Sequence, residues 1–389
     1  MDARGSGDAV SLKAIIGSSA PARAKWLKAA DWAAARTLLP WVRARPAGRP
    51  PEPSAVRRIL VIRPGGIGDA ILLLPCLAWL RRWAPHAALH VAAERRNAAV
   101  FSIDPSASDL VLTLERSPWR LWRMVRRAGY DVVIDTEQWH ALSGLLTARS
   151  AAPVRIGFDT NPARSRCYSA VVPYRHDAFE GESFLTLLGG LGAPIPHVDW
   201  TAPYLGPGAA AREEAERFAP AGSVAVAVRG GIPERDWGAR KLEELLRRVG
   251  GETGPVLLLG GEEDRRRGAS LARRLGTARV LDATGRLTLA GCAGALARSA
   301  AFVGTDSGLM HLASAVGTPV VALFGSGIQA KWAPRGPAHR ILNRRLPCSP
   351  CTRFGCTPRC PYDVRCLKDI EVEDVADALR GVLAQRHPA

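Results

Sequence analysis

A glycine-rich loop with one acidic residue is the first segment of this sequence that could carry chemistry. The loop residues Gly65, Gly66 and Gly68, followed by Asp69, separate the apolar run RRILVIRP from the run ILLLPCLAWL. Glycines let a ligand approach the backbone, and amides at the start of the predicted helix would face that ligand. The Asp69 carboxylate would cap the helix and, if desolvation offsets the helix dipole, could also accept the proton of an attacking hydroxyl group.

The same loop also has to be compared with the dinucleotide-binding pattern G-x-G-x-x-G. The third glycine of that pattern would fall on Ile71 and is missing here. Glu94, at the end of the next predicted strand, does resemble the acid that binds a ribose in such proteins. A nicotinamide-dependent oxidoreductase is therefore an alternative, which the missing glycine disfavours.

A second strand, loop and helix are predicted for the segment FVGTDSGLMH, which begins at Phe302. Backbone amides near Ser307 and Gly308 could bind a pyrophosphate at the start of the helix, and Asp306 could accept hydrogen bonds from sugar hydroxyls. His311 lies one turn into the helix, where either a ligand contact or a buried structural role suits it.

Two more loops follow predicted strands in the same half of the chain. Arg229 and Arg235, in RGGIPERDW, could bring positive charge to phosphates or lie in a solvated turn. Glu262, in GGEED, could bind a ribose or cap the next helix.

Apolar runs alternate with helical segments in both halves of the chain. Strands are predicted at 57–64, 88–93, 109–114, 131–136 and 154–158, and, after a Gly- and Pro-rich stretch at 190–210, further strands alternate with helices predicted at 240–249, 264–275, 288–298 and 308–316. This alternation is typical of parallel sheets. The sequence therefore predicts an α/β protein with two Rossmann-like domains, at 56–205 and 206–335.

Positive charge is concentrated outside these two domains. The formal net charge is +17, and most of it falls in a basic extension and linker at 1–55 and a Cys-rich segment at 336–368, which precedes a C-terminal helix and tail at 369–389. Such charge suits anionic lipid or a phosphorylated acceptor. Nucleic acid is not expected, because the domains lack an aromatic and basic platform for bases.

The extension contains a predicted helix at Arg23–Leu39. Its apolar stripe is formed by Trp26, Ala30, Ala34 and Leu38, opposite the basic residues Lys25, Lys28 and Arg36, and Trp41 and Arg43 follow just beyond Pro40. The helix would lie on an anionic membrane surface or pack on the body of the protein. Since no apolar run of about 18 residues and no signal peptide is evident, we expect a cytoplasmic protein, peripheral on the inner face of the membrane if this helix binds lipid.

Five cysteines lie between residues 348 and 366. In a long cytoplasmic chain they predict reduced thiols rather than disulfides. Cys348, Cys351, Cys356 and Cys360 have spacings that permit a structural, tetrahedral metal site. The alternative is a set of free thiols in a basic loop.

At its two glycine motifs, the sequence resembles glycosyltransferase family 9, the heptosyltransferases of lipopolysaccharide core assembly, over about residues 57 to 385. The segment RILVIRPGGIGDAILLLPCLAWLR is similar to the opening strand and acceptor loop of that family. The segment FVGTDSGLMHLASAVGTPVVALFG is similar to its donor-sugar loop. The two motifs in this order are much more specific than either alone.

The resemblance implies a GT-B fold, with two parallel sheets facing across a cleft, and an inverting transfer that needs no cofactor or catalytic metal. The donor would be a nucleotide sugar such as ADP-heptose, and the acceptor a lipid-linked or phosphorylated glycan; another sugar or a protein acceptor is the alternative. Asp69 would be the base, Asp306 would hold the sugar, Ser307 and Gly308 would bind phosphate, and Glu262 would bind the ribose. The family's Lys before Trp-Pro is replaced here by Arg235, which keeps the charge but not the reach.

Overall fold

The computed structural model describes Ser18 and residues 22–44, 49–114, 118–276, 279–353 and 355–386. The chain forms two compact units, the first of Met1–Val198 with Arg353–Pro358 and the second of Asp199–Thr352 with Arg359–Ala389. Each unit is built on one parallel six-stranded sheet. The predicted α/β class is confirmed.

The sheet of the first unit has the strand order β3-β2-β1-β4-β5-β6. Its strands are β1 (Arg58–Arg63), β2 (Ala88–Ala93), β3 (Leu110–Thr113), β4 (Val132–Asp135), β5 (Val154–Asp159) and β6 (Ala170–Pro173). Strand β4 is buried along its whole length, as expected for the centre of a parallel sheet covered on both faces. Strand β6 was not predicted, because AVVP is short and alternates between half-buried and exposed residues at the edge of the sheet.

Helices cover this sheet. They are α1 (Ala22–Thr37), α2 (Ile67–Trp83), α3 (Arg95–Ala98), α4 (Pro118–Ala128), α5 (Ala141–Arg149), α6 (Pro162–Ser165) and α7 (Glu180–Thr186), with 3-10 turns at Leu39–Trp41, Pro53–Ala55, Ala99–Ser102 and Leu187–Leu191. Arg81 in α2 bonds to Asp109 just before β3, at 3.0 and 3.1 Å, and so ties this long helix to the edge of the sheet.

Helix α1 packs against α5, which is the second of the two roles expected for it. The Asp31 carboxylate accepts hydrogen bonds from the first amides of α5, those of Ala141 at 3.0 Å and Leu142 at 2.8 Å. Ala34 is buried, but Ala30 and Leu38 are exposed, so the predicted stripe is not the packed face. The side chains of Lys25 and Trp26 lie outside the described residues.

The sheet of the second unit has the order β12-β11-β10-β7-β8-β9. Its strands are β7 (Val224–Ala227), β8 (Val256–Leu259), β9 (Val280–Asp282), β10 (Ala301–Thr305), β11 (Val320–Phe324) and β12 (Arg340–Asn343). Counted within each unit, both sheets have the Rossmann order 3-2-1-4-5-6. Both halves therefore place their first strand beside the fourth.

The helices of the second unit are α8 (Ala209–Glu216), α9 (Ala239–Val249), α10 (Arg265–Leu275), α11 (Leu289–Arg298), α12 (Gly308–Ala315), α13 (Gln329–Trp332), α14 (Arg365–Lys368) and α15 (Val372–Arg386), with 3-10 turns at Pro233–Arg235 and Glu262–Asp264. Helix α15 packs against α9 and the sheet through the buried Val375, Leu379 and Val382. In the described part of the chain, none of the helices combines the length and apolarity that crossing a membrane requires.

Candidate functional site

Each sheet has one point where the strand order reverses, between β1 and β4 in the first unit and between β7 and β10 in the second. In open parallel sheets, ligands bind outside the carboxyl ends of the strands at such a point. The first glycine motif follows β1 and the second follows β10. The fold therefore places both motifs where a ligand would be expected.

In the first unit, Asp69 lies in the first turn of α2, and Gly66 occupies the N-cap position. The carboxylate points back toward the loop: its Oδ2 lies 3.6 Å from where a Cβ atom on Gly66 would stand. Gly65 has a φ of 109°, which favours glycine. The half-buried Asp69 side chain is thus partly desolvated but still accessible.

A buried arginine lies beside this loop. Arg63, the last residue of β1, bonds through Nη2 to Glu137 Oε2 at 2.9 Å, and its Nη1 donates to the Thr136 carbonyl at 3.0 Å. Burial alone would lower the pKa of Arg63, but the negative charges of Glu137 and Asp69 outweigh it and raise that pKa above its ordinary value. Arg63 Nη2 and Asp69 Oδ2 lie 3.0 and 3.9 Å from where a Cβ atom on Gly65 would stand, so both side chains flank this loop.

A second ion pair is buried at the end of β4. Arg164 Nη2 lies 3.0 Å from Asp135 Oδ2, and the Tyr168 hydroxyl donates to the same oxygen at 2.7 Å. Burial raises the pKa of Asp135, although the charge of Arg164 opposes the shift. Sequence reasoning missed both buried pairs, but an acid at the end of the otherwise apolar run VVID was a signal that it could have used.

In the second unit, most of the residues predicted to bind the sugar donor lie at the start of α12. Arg235 Nη1 lies 3.1 Å from Asp306 Oδ2, and His311 Nε2 lies 4.0 Å from Asp306 Oδ1. Ser307 is the N-cap residue, followed by Gly308 at the first position of the helix. In the described structure, the buried Ser307 Oγ and Thr305 Oγ1 have no hydrogen-bond partner. Leaving such groups unpaired costs about 1–3 kcal/mol each, so a ligand that bonded to them would bind favourably.

Arg229 and Glu262, the other two residues predicted to bind the sugar donor, lie in different surroundings. Arg229 Nε pairs with Asp264 Oδ1 at 2.9 Å. Glu262 pairs with Arg265 at 3.0 Å, and its side chain is 72% exposed, so it is accessible to a ligand. Both residues follow carboxyl ends of strands, but neither joins the cluster around Asp306.

A pocket of the second unit lies between the loops after β7 and β10. Its lining includes Arg229, Gly230, Asp236, Arg267 and Thr305. Arg267 holds the Asp236 carboxylate with two bonds, at 2.6 and 2.9 Å, which sequence reasoning did not foresee. This bidentate pair fixes the loop that carries the neighbouring Arg235.

Gly230 is required by the close packing of this loop. A Cβ atom on Gly230 would stand 2.0 Å from the Arg235 carbonyl oxygen, whereas one on Gly231 would have nothing within 4 Å. We expect Gly230→Ala to destabilise the second unit by about 1–3 kcal/mol, as other overpacking substitutions do. Denaturant unfolding measures this, with Gly231→Ala as the matched control; equal effects of the two substitutions would contradict the steric argument.

All eight cysteines of the chain, including the five between residues 348 and 366, are free thiols in the structure. Cys356 belongs to the first unit, where its Sγ accepts a hydrogen bond from Lys28 Nζ at 3.2 Å. The residues that the structure describes contain no group of three or more His, Cys, Asp or Glu side chains placed to hold a metal ion. A metal ion held by Cys348, Cys351, Cys356 and Cys360 stays a prediction from the sequence.

Glu94, the acid of the dinucleotide alternative, lies just after β2. It is the N-cap residue of α3, and its Oε2 is paired with Arg96 Nε at 2.6 Å. An ion pair at a helix start accounts for this acid without a ribose.

The fold and the two loops define a protein of two Rossmann-type units, with an acidic residue after the first strand of the first unit and an arginine-paired acid at a helix start in the second. Residues 118–360 match the sequence model of glycosyltransferase family 9 (heptosyltransferase). This match spans more than half of the chain. The chain therefore belongs to glycosyltransferase family 9.

Individual relatives agree with this family. The chain is 28% identical to lipopolysaccharide heptosyltransferase 1 of Pseudomonas aeruginosa over 340 residues, which cover 81% of this chain and 92% of the relative. The structure of Escherichia coli ADP-heptose lipopolysaccharide heptosyltransferase II superposes with a TM-score of 0.68 at 21% identity, covering 85% and 99% of the two chains. E. coli heptosyltransferase WaaC with ADP-2-deoxy-2-fluoro heptose gives a TM-score of 0.62 at 21% identity, covering 83% and 99%. These structural matches confirm the predicted GT-B fold.

Proposed function

We propose that this glycosyltransferase moves a heptose from ADP-heptose to a lipopolysaccharide core or similar glycan acceptor, with inversion at the anomeric carbon. The observation that carries the proposal is the Asp306 cluster: a buried carboxylate, a paired arginine and an unpaired serine hydroxyl at the N-terminus of a helix. The sugar hydroxyls of a nucleotide sugar can donate hydrogen bonds to the Asp306 carboxylate, and its phosphates can bind Arg235 and the Ser307 hydroxyl. The names of the P. aeruginosa and E. coli relatives support heptose and ADP as the donor groups.

The donor diphosphate would bind at the start of α12. Free amides at a helix N-terminus attract phosphate oxygens, and the Arg235 guanidinium adds a charged donor. As the bond to the sugar breaks, negative charge grows on the diphosphate, and these groups stabilise it without a cofactor. Asp306 would then accept hydrogen bonds from the sugar hydroxyls, Arg229 would add charge near the phosphates, and Glu262 would bind the nucleoside ribose.

Asp69 would act on the acceptor. An inverting transfer needs a base that removes the proton from the attacking hydroxyl while the diphosphate leaves on the opposite side. Asp69 is half-buried and next to glycines, so an acceptor hydroxyl can approach it closely. The bonds made and broken balance: the acceptor oxygen forms the new glycosidic bond, Asp69 takes the proton, and the nucleoside diphosphate carries away the bonding electron pair.

The proposed acceptor is a lipid-linked or phosphorylated glycan. A lipid-linked acceptor would bring the enzyme to a membrane surface. Another sugar, or a protein acceptor, is the alternative within this fold. A nicotinamide-dependent oxidoreductase is disfavoured further, since the chain belongs to a glycosyltransferase family and Glu94 is engaged by Arg96.

Donor specificity gives the direct test. We expect ADP-heptose to bind more tightly than ADP. Asp306→Ala should lower the ratio of the two affinities by about tenfold or more, because a hydrogen bond to a charged group contributes about 1.5–3 kcal/mol. Calorimetric titration of ADP-heptose, ADP and other nucleotide sugars measures it.

Glu262→Ala is the matched control for that titration. Loss of a ribose contact should weaken ADP and ADP-heptose equally and leave the preference intact. Tighter binding of a different nucleotide sugar would replace heptose in the proposal. If no nucleotide sugar binds, the proposed donor site is wrong.

A further inference from the structure

A surface of the first unit combines exposed apolar side chains with arginines. We call it the Trp41 surface and define it by Leu38, Trp41, Arg43, Leu142, Arg149 and Arg166. Trp41 is 84% exposed, Leu38 49% and Leu142 46%. A pocket of about 340 Å³ opens within it, and no acidic residue lines that pocket.

The arginines of this surface are available to an anion. In the described structure, no carboxylate forms an ion pair with Arg43, Arg149 or Arg166. Arg166 donates to the Pro40 carbonyl at 3.4 Å and so holds the turn that carries Trp41. The pocket is also lined by the buried Arg155, whose Nε donates to the Cys167 carbonyl at 3.0 Å. Four arginines therefore line one pocket together with apolar residues.

Helix α4 also combines arginines with exposed apolar side chains. Its sequence PWRLWRMVRRA has four arginines and no acidic residue, and Met124 is 40% exposed. The guanidinium carbons of Arg149 and Arg126 lie 5.7 and 5.8 Å from the ring of Trp122, so this tryptophan links α5 to α4. The cationic area thus continues beyond the pocket, still with an apolar side chain among the arginines.

We propose that the Trp41 surface binds an anionic lipid bilayer, with a headgroup phosphate in the pocket and Trp41 inserted at the interface. Arginine binds phosphate through several N–H groups at once, and tryptophan is favoured at the boundary between headgroups and acyl chains. The exposed leucines and Met124 would gain by leaving water, as on other interfacial surfaces. This aliphatic component favours a bilayer over nucleic acid or free phosphate, which would leave those side chains in water.

This docking surface rests on the proposed function, because a lipid-linked acceptor requires the enzyme to reach a membrane. It also narrows the segment that the sequence predicted to contact lipid. The Asp31 carboxylate binds the first amides of α5, whereas Leu38, Trp41 and Arg43, which follow α1, are exposed. The lipid contact therefore belongs to these residues and to α5 rather than to the whole stripe along α1.

Vesicle binding by the full chain tests the proposal. We expect the wild type to sediment with phosphatidylcholine vesicles that contain phosphatidylglycerol and not with phosphatidylcholine alone. Charge reversal in R43E/R149E should weaken binding at least about tenfold, because each basic residue near an anionic surface contributes to attraction. Trp41→Ser should weaken it on its own, since the removed side chain is nearly all solvent-exposed.

The matched control is R240E/R273E on the second unit, with the same change in charge. Arg240 and Arg273 are exposed, and Arg273, like Arg149, lies in the last turn of its helix. Vesicle binding that drops equally in both double variants would overturn the proposal, because total charge alone would explain it. Preferential binding to DNA, or full release from vesicles by millimolar inorganic phosphate, would also overturn it.

Calorimetric binding of ADP-heptose to the same variants separates this proposal from the proposed function. The docking proposal holds if R43E/R149E retains donor affinity and loses vesicle binding. If the wild type binds vesicles through this surface but binds no nucleotide sugar, the docking surface stands and the transferase donor is wrong.

Discussion

Replacing Asp69 with Asn should lower kcat for sugar transfer by about 10²- to 10⁴-fold, the usual contribution of a general base. Asn keeps the shape of the side chain but cannot take the proton. Donor binding should be unchanged, because the groups proposed to hold ADP-heptose all belong to the second unit. Single-turnover transfer to a lipopolysaccharide acceptor measures the rate, and calorimetry measures donor affinity.

The control for this substitution must remove a helix-start carboxylate without touching the proposed base. Glu182→Gln serves, since Glu182 is an exposed acid in the first turn of α7. Both substitutions lose a favourable interaction with a helix dipole, typically about 0.3–1 kcal/mol, so both should change stability slightly. If Asp69→Asn keeps kcat within a factor of about three of the wild type, the base assignment is wrong.

The parts of the site that the sequence predicted depend on neighbouring residues. A short apolar strand, a glycine loop and a helix start follow one another along the chain, so Asp69 and Asp306 could be placed in the loops after β1 and β10 without knowledge of tertiary contacts. The approach of Arg235 to Asp306 joins residues 71 positions apart. Only the shared strand order of the sheet, with β7 beside β10, brings these two loops together.

The parts that were missed depend on distant pairs. Arg63 meets Glu137 across 74 positions, and Arg164 meets Asp135 across 29. Arginine is commonly a surface residue, so its type gives no sign of burial. The hydrogen bond from Lys28 to Cys356 is another distant pair that the sequence did not indicate.

The buried pair of Arg164 and Asp135 gives a large expected effect on stability. Arg164→Met should lower the free energy of unfolding of the first unit by about 3–5 kcal/mol at neutral pH, since removing one partner leaves a buried charge uncompensated. Both side chains are at most 1% exposed, so water cannot replace the lost partner. Guanidinium denaturation monitored by circular dichroism at several pH values measures this change.

The pH dependence distinguishes this loss of charge pairing from loss of packing. The folded-state pKa of Asp135 is already raised by burial, and removal of Arg164 would raise it further. Above the unfolded-state pKa of about 3.9, the folded variant then binds more protons than the unfolded chain, so its stability falls as pH rises through the folded-state pKa. We therefore expect a smaller deficit at low pH than at pH 8.

Asp135→Asn combined with Arg164→Met completes the cycle. The double variant has no buried charge at this position, so it should recover part of the stability lost in Arg164→Met and lose the added pH dependence. Tyr168 can still donate its hydroxyl hydrogen to the Asn oxygen, as it does to Asp135. A double variant as unstable as the single one at every pH would mean that Arg164 acts by filling space, and that charge pairing at the end of β4 contributes nothing to the first unit.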